Sequence, residues 1–178
     1  MDFKVMRSHS EALSAAYQRL LEERPVAGGL TEVFSTVAVV IGALSIEVGF
    51  KALLVKAHGI TSSEDLLRLV GPRKGHDLEH LYGLLTTTEK SSIKNAVEVA
   101  LEEKPREFLA LFNDENGLDD FLDHAVQPRS FETDLSLAKN CFEEWRYSYE
   151  PTTGSTVVSS SFVASLLTAT MQVLNEAS

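Results

Sequence analysis

Residues 33–55 place the tightest limit on how this chain can fold. Between Val33 and Ile46 the stretch carries no charge, and Val37 to Leu44 is apolar on nearly every side. A helix with a narrow apolar stripe lies on a core, but one that is apolar all round must be enclosed. The chain therefore needs other helices to wrap this one. Thr31 is placed to cap its start, and Gly59 falls just past its end at His58. Gly42 and Gly49 lie seven residues apart on one face, where they let neighbouring helices approach closely. Glu47 and Lys51 interrupt the apolar run near its end, so a buried helix is expected rather than a membrane span.

The remaining pattern is helical as well. A first helix is expected over 8–24, stopped by Pro25, with Leu13, Ala16, Tyr17, Leu20 and Leu21 as its apolar stripe. A short turn follows Ser62 and breaks at Gly71-Pro72. Further helices are expected from His76, from a cap at Thr88, and from Pro105 through Phe108, Leu109, Leu111 and Phe112. Another is expected over 131–149, with Leu135, Ala138, Phe142 and Trp145 turned inward. Residues 152–161 read as a loop running into a last helix over 157–176. That last helix has no charge between 157 and 175, so it is expected to be internal or covered by a second subunit. With 178 residues and no sustained strand alternation, the expectation is one all-α domain over 1–178. Its architecture is an antiparallel helical bundle with extra short helices.

Composition narrows the function classes. A net charge of −10 argues against general DNA binding and against anionic membranes. The acids concentrated over 102–123 read as a solvated face, the alternative being a docking surface for a basic partner. The single cysteine, Cys141, excludes an intramolecular disulfide and any multi-cysteine zinc site. No secretory signal is evident at the N-terminus, and a cytoplasmic setting is expected.

Three clusters could carry chemistry. Glu47 and Lys51 stand four apart on one helical face and can pair, the acid N-terminal. The run His76-Asp77-Leu78-Glu79-His80 matches the H-x-x-E-H spacing of a metal-dependent hydrolase. It has no evident third ligand, and its acids equally suit the first turn of a helix. No metal and no cofactor are expected; His76 reads as a helix-start residue and His80 as a surface residue. The third cluster is Trp145-Arg146-Tyr147-Ser148-Tyr149-Glu150, where Arg146 could hold a phosphate and Tyr149 stack a base, or both could simply pack.

Taken together, Ile46-Glu47-x-x-x-Lys51-Ala52-Leu53-Leu54, Gly59, Gly75-His76-Asp77-Leu78 with Leu81, and Trp145-Arg146-Tyr147-x-Tyr149-Glu150 resemble the HEPN superfamily over residues 30–150. The ending resembles an uncharacterised bacterial branch of HEPN-like proteins. The resemblance implies a dimer-forming helical bundle, with family roles in toxin–antitoxin and phage-defence systems and in RNA, nucleotide or protein binding. Catalytic members carry an arginine and a histidine with four to six residues between them. Here no histidine follows Arg146, Arg73 is too close to His76, and Arg68 is too far from it. Such a histidine serves as general acid or base for attack of a 2′-hydroxyl on phosphate. The expectation is therefore a non-catalytic, homodimeric module. Its candidate binding groove holds Glu47, Lys51, His76, Arg146, Tyr149 and Glu150, and its partner is RNA, a nucleotide or a protein. A divergent HEPN ribonuclease toxin is the alternative.

Overall fold

The structure, a computed structural model, describes residues 1–22, 30–72, 74–102, 108–111, 130–139, 141 and 156–177. Among these, seven helices dominate: α1 (Phe3–Glu22), α2 (Leu30–His58), α3 (Ser63–Val70), α4 (Leu78–Leu84), α5 (Thr87–Glu102), α6 (Phe131–Ala138) and α7 (Ser160–Glu176). Two short strands, β1 (Phe108–Leu111) and β2 (Thr156–Ser159), pair as one antiparallel ladder. The all-α expectation thus holds for the bulk of the described fold, and the ladder is an addition to it.

α2 is the axis, as its apolar girth requires. Ala43, Ile46, Phe50, Ala52, Leu53 and Leu54 are all fully buried. Thr36–His58 is long and apolar enough to cross a membrane, but 67% of an apolar 18-residue stretch within it is buried inside the fold. The two glycines do what their spacing predicted. A Cβ on Gly42 would lie 3.2 Å from Tyr17 of α1 and from Val163 of α7. One on Gly49 would lie 2.7 Å from Thr170 Cγ2, 3.1 Å from Ser10 Oγ and 3.2 Å from Leu174. Both flanking helices therefore touch the bare backbone of α2 one heptad apart.

These contacts also set direction. Ser10 meets Ser45, while Tyr17 lies at Gly42, so α1 descends as α2 climbs. Val163 lies at Gly42 and Thr170 at Gly49, so α7 runs parallel to α2. The packing is accordingly mixed in direction.

α1 begins at Phe3, five residues before the expected start. Its inward face is Phe3, Met6, Ser10, Leu13, Tyr17 and Leu20, whereas Ala16 and Leu21 are exposed. Ser10 is fully buried because its hydroxyl donates to Ser45 O at 2.8 Å, and Ser45 Oγ donates back to Ser10 O at 2.8 Å. This reciprocal pair satisfies two polar groups inside an apolar seam and fixes the register of α1 on α2.

Of three caps, one falls where expected and two shift by a residue or two. Ser62 caps α3 as expected, accepting from Asp65 N at 3.1 Å. Thr86, not Thr88, caps α5: it accepts from Glu89 N, and Glu89 returns a carboxylate to Thr86 N at 2.9 Å. That reciprocal arrangement is a capping box, which Thr88 has no partner to form. Asp77, not His76, caps α4, with Oδ1 accepting from His80 N at 2.8 Å.

The larger departure is at Phe108–Leu111. The helix expected after Pro105 is instead strand β1 there, paired from Phe108↔Ser159 to Leu111↔Thr156. Its partner Thr156-Val157-Val158-Ser159 is rich in β-branched residues, which suit a pleated ladder. Consequently the stretch expected as loop contains a strand, and α7 starts at Ser160, where Ser159 accepts from Phe162 N at 3.1 Å. Of the helix expected over 131–149, Phe131–Ala138 is described, and Lys139 lies in a turn.

An aromatic chain ties the layers together. Ring centroids are 6.1 Å apart for Phe50–Tyr82, 5.1 Å for Tyr82–Phe131 and 5.6 Å for Phe131–Phe162, linking α2, α4, α6 and α7. Burial raises the Tyr82 phenol pKa, and its hydroxyl donates to Lys90 O at 2.9 Å.

α5 and α6 are also joined outside the core, where Lys94 Nζ lies 2.5 Å from Glu132 Oε1. That hydrogen bond holds the Glu132 carboxyl below its usual range and the Lys94 ammonium above its own. The carboxyl's contribution is complete above its unfolded value and is lost as pH falls through the lowered folded value. The ammonium's is complete below its unfolded value and is lost as pH rises through the raised one. The pair is solvent-exposed, so its share is small. Glu132→Gln is expected to flatten the acid limb of a melting-temperature–pH curve slightly; an identical limb would show that the tie contributes nothing.

Candidate functional site

The described residues bring three of the six expected groove residues together. Glu47 projects from the middle of α2. Its Oε1 accepts from Lys51 Nζ at 2.6 Å, one turn along the same helix, and its Oε2 meets His76 Nδ1 at 2.8 Å. A carboxylate only accepts, so His76 Nδ1 is the donating nitrogen, and the acid selects the ring tautomer.

The three side chains grade from core to solvent. Glu47 is 3% exposed, Lys51 19% and His76 45%. Burying a lone carboxylate is costly, and here both oxygens have a donor, which makes the burial tolerable. Lys51 spends one of its three ammonium donors on Glu47.

The turn carrying His76 is built for this approach. Lys74 N reaches Gly71 O, Asp77 N reaches Lys74 O, and Leu78 N donates to Lys139 O at 2.9 Å, which fastens the start of α4 to the end of α6. A Cβ at Gly75 would stand 3.8 Å from Lys51 Nζ. That is an ordinary contact distance, and it places the turn directly beside the ammonium.

His76 and His80 part company. His76 turns to Glu47, and His80 Nε2 reaches back to Val70 O at 2.8 Å on α3. The two histidines of the H-x-x-E-H spacing are thus engaged by different elements, and Glu79 is exposed. Neither expected role survives unchanged: His76 is not the cap, and His80 is a half-buried link rather than a surface residue. Among the described residues, no group of three or more His, Cys, Asp or Glu side chains is placed to hold a metal ion.

Arg146, Tyr149 and Glu150, with Trp145, lie outside the described residues, as does the acidic run beyond Glu102. Cys141 is described and buried. Sequence reasoning overlooked Asp134, an acid 1% exposed in the first turn of α6, where the helix dipole favours a negative charge. It also overlooked the Ser10–Ser45 pair, although the spacing 3, 6, 10, 13, 17, 20 marks Ser10 as an inward position, and it overlooked Arg73 and His80, which have six residues between them and so fit the arginine–histidine spacing of catalytic HEPN members; His80 Nε2 is engaged by Val70 O, and Arg73 lies outside the described residues.

The expected charge-free last helix has two sides. Phe162, Val163, Leu166, Leu167, Ala169, Thr170, Val173 and Leu174 of α7 are buried. The outer side forms, with α5, a shallow groove of about 250 Å³ lined by small and uncharged residues, including Ala96, Ala100, Ser161, Ser165, Thr168 and Gln172.

Comparison of the chain with protein-family models, with curated proteins and with solved structures gives no match.

Proposed function

We propose that this chain is a non-catalytic, HEPN-like helical-bundle module of bacterial type. It acts in the cytoplasm as a homodimer and binds RNA or a nucleotide at the turn where Glu47, Lys51 and His76 meet. The observation that carries this reading is the buried Glu47 carboxylate. It holds the Lys51 ammonium and the His76 ring at a graded opening to solvent, where the ammonium is a charged donor suited to a phosphate oxygen and the ring lies beside it. Glu47, Lys51 and His76 are three of the residues on which the family resemblance rests, and they meet at this turn. Arg146, Tyr149 and Glu150 complete the binding set in this proposal on sequence grounds.

A second copy covers the uncharged groove between α5 and α7. In a chain of net charge −10, that groove lets two copies meet without opposing carboxylates. Light scattering at micromolar concentration is expected to give a dimer, and Thr168→Glu to give a monomer. A strict monomer in the unaltered protein overturns the dimer.

For the ligand, fluorescence anisotropy with a short single-stranded RNA is the direct test. Binding should fall at least tenfold in Lys51→Met and His76→Ala, and should weaken with added salt. No binding by the unaltered chain sinks the RNA reading and leaves a protein partner, sought by co-purification at this same surface.

The alternative of a divergent ribonuclease draws on the Glu47–His76 contact, because a carboxylate at Nδ1 is how a general-base histidine is commonly oriented. Expression separates the two. A toxin arrests host growth, and His76→Ala or Arg146→Ala relieves the arrest; unimpeded growth and intact RNA support the binding module.

A further inference from the structure

α3 is the most weakly held described helix, and its attachments have a definite layout. Eight residues are too few for a stable helix in water, so α3 persists through its caps and its tertiary contacts. Only Leu66 and Val70 of the helix are buried, while Leu67 is 54% exposed and Glu64, Asp65 and Arg68 face solvent. Each end of the segment is a glycine in the left-handed region: Gly59 at φ +60° after α2, and Gly71 at φ +85° after α3. A Cβ on either would meet nothing within 4 Å. These glycines are therefore there for backbone conformation and not for close packing.

The polar contact that reaches the last turn of α3 from α4 is His80 Nε2 to Val70 O, 2.8 Å. Val70 O is one of the terminal carbonyls that a helix leaves without an internal partner. A carbonyl only accepts, so Nε2 donates, and His80 acts as a side-chain latch on the helix end. α4 does not depend on α3 in return. Its start is fixed by the Asp77 cap and by Leu78 N to Lys139 O, and the turn before it by His76 to Glu47.

We infer that α3 is a hinged flap, pivoting at Gly59 and Gly71 and latched shut by His80, which opens while α2 and α4 stay folded. Opening frees Ile60, Leu66, Leu69 and Val70 from the core, parts Thr61 O from the Met1 ammonium, and releases the chain that leads into the His76 turn, giving the candidate site a movable neighbour. It needs neither unfolding of the bundle nor any change at the Glu47 contacts. Segments of this kind, with few buried side chains and a solvent-facing outer surface, lie at the low end of a protein's local stabilities.

Native-state amide exchange of the whole chain tests the flap without any ligand, and so independently of the RNA reading. Protected amides of Leu67 to Gly71 are expected to exchange at least tenfold faster than those of residues 46–55 in α2, with rates that stay flat at low denaturant. His80→Ala should speed the α3 amides about tenfold more, leaving α2 and α7 unchanged, and His80→Gln, which keeps a donor, should recover part of the protection. Exchange of α3 at the same rate as α2 in the unaltered protein overturns the flap, whatever the variants do. Equal acceleration of every helix by His80→Ala would show instead that His80 supports the whole fold.

Discussion

Gly49→Ala is expected to destabilise the fold by up to about 2 kcal/mol, although alanine is the better helix former. The substitution gains about 1 kcal/mol in intrinsic propensity. It loses more because the new methyl would stand 2.7 Å from Thr170 Cγ2 and 3.1 Å from Ser10 Oγ, inside two packed helix contacts at once. Overpacking of that kind costs about 1–3 kcal/mol and grows with side-chain size, so Gly49→Val should cost more still. Thr170→Ser is the second-site test. It removes the clashing Cγ2 and keeps the hydroxyl that donates to Leu166 O at 2.7 Å. In the Gly49→Ala background it should restore part of the loss, as coupled neighbours do. Gly83→Ala is the control: a Cβ there meets nothing within 4 Å, and the residue lies inside α4. That variant should gain about 0.5–1 kcal/mol. Chemical denaturation reads all four, and a stabilised Gly49→Ala would mean that α7 does not pack on α2 as described.

Removing the Glu47 carboxylate is the second large effect. Glu47→Ala should cost about 2–4 kcal/mol, since it leaves Lys51 mostly buried without its counter-charge and opens a void in α2's surroundings. Glu47→Gln should cost less, because an amide can still accept from Lys51 Nζ. Its NH2 would then face His76 Nδ1, and the ring must change tautomer to accept. Lys51→Met alone should also destabilise, because Glu47 keeps a single partner at 3% exposure. The double variant Glu47→Met, Lys51→Met should be milder than the sum of the two, since replacing a whole buried pair by apolar groups is often close to neutral. His76→Ala also leaves the Glu47 carboxylate a single side-chain partner, but the ring is half-exposed and water can take its place at Oε2, so the cost should be about 1–2 kcal/mol, less than for Glu47→Ala. This ordering separates support from binding: a His76 variant that stays folded and loses RNA assigns the ring to ligand contact. Single variants at Glu47 and Lys51 that each cost under about 0.5 kcal/mol would reduce the cluster to a surface ion pair.

Much of the fold follows from patterns that are local in sequence. α2 was legible because a run apolar on every side leaves one physical solution, and Gly59 and Ser62 mark their boundaries by backbone chemistry that needs no neighbours. Where two local signals competed, the finer geometry decided. Thr86 wins the cap of α5 over Thr88 because Glu89 stands three residues beyond it. Asp77 wins over His76 because its short carboxylate reaches the amide of His80. The β1–β2 ladder was not legible. Phe108-Leu109-Ala110-Leu111 is equally acceptable as a helical turn, and the backbone partners that make it a strand lie 45 to 51 residues further along the chain.

For the candidate site the division is similar. The sequence by itself determined that Glu47 and Lys51 share a helical face, because 3.6 residues per turn puts positions four apart side by side. It also determined that the central helix must be enclosed, and that its glycines invite close neighbours. Only the tertiary structure decided that His76 meets Glu47 across 29 residues of sequence, that His80 serves α3, and that α7 runs parallel to α2. The physical reason is range. Propensity, capping and periodicity act within a turn or two of helix and are written in neighbouring residues. A hydrogen bond between distant elements depends on how whole helices pack, and that is set by the burial of the entire apolar surface at once.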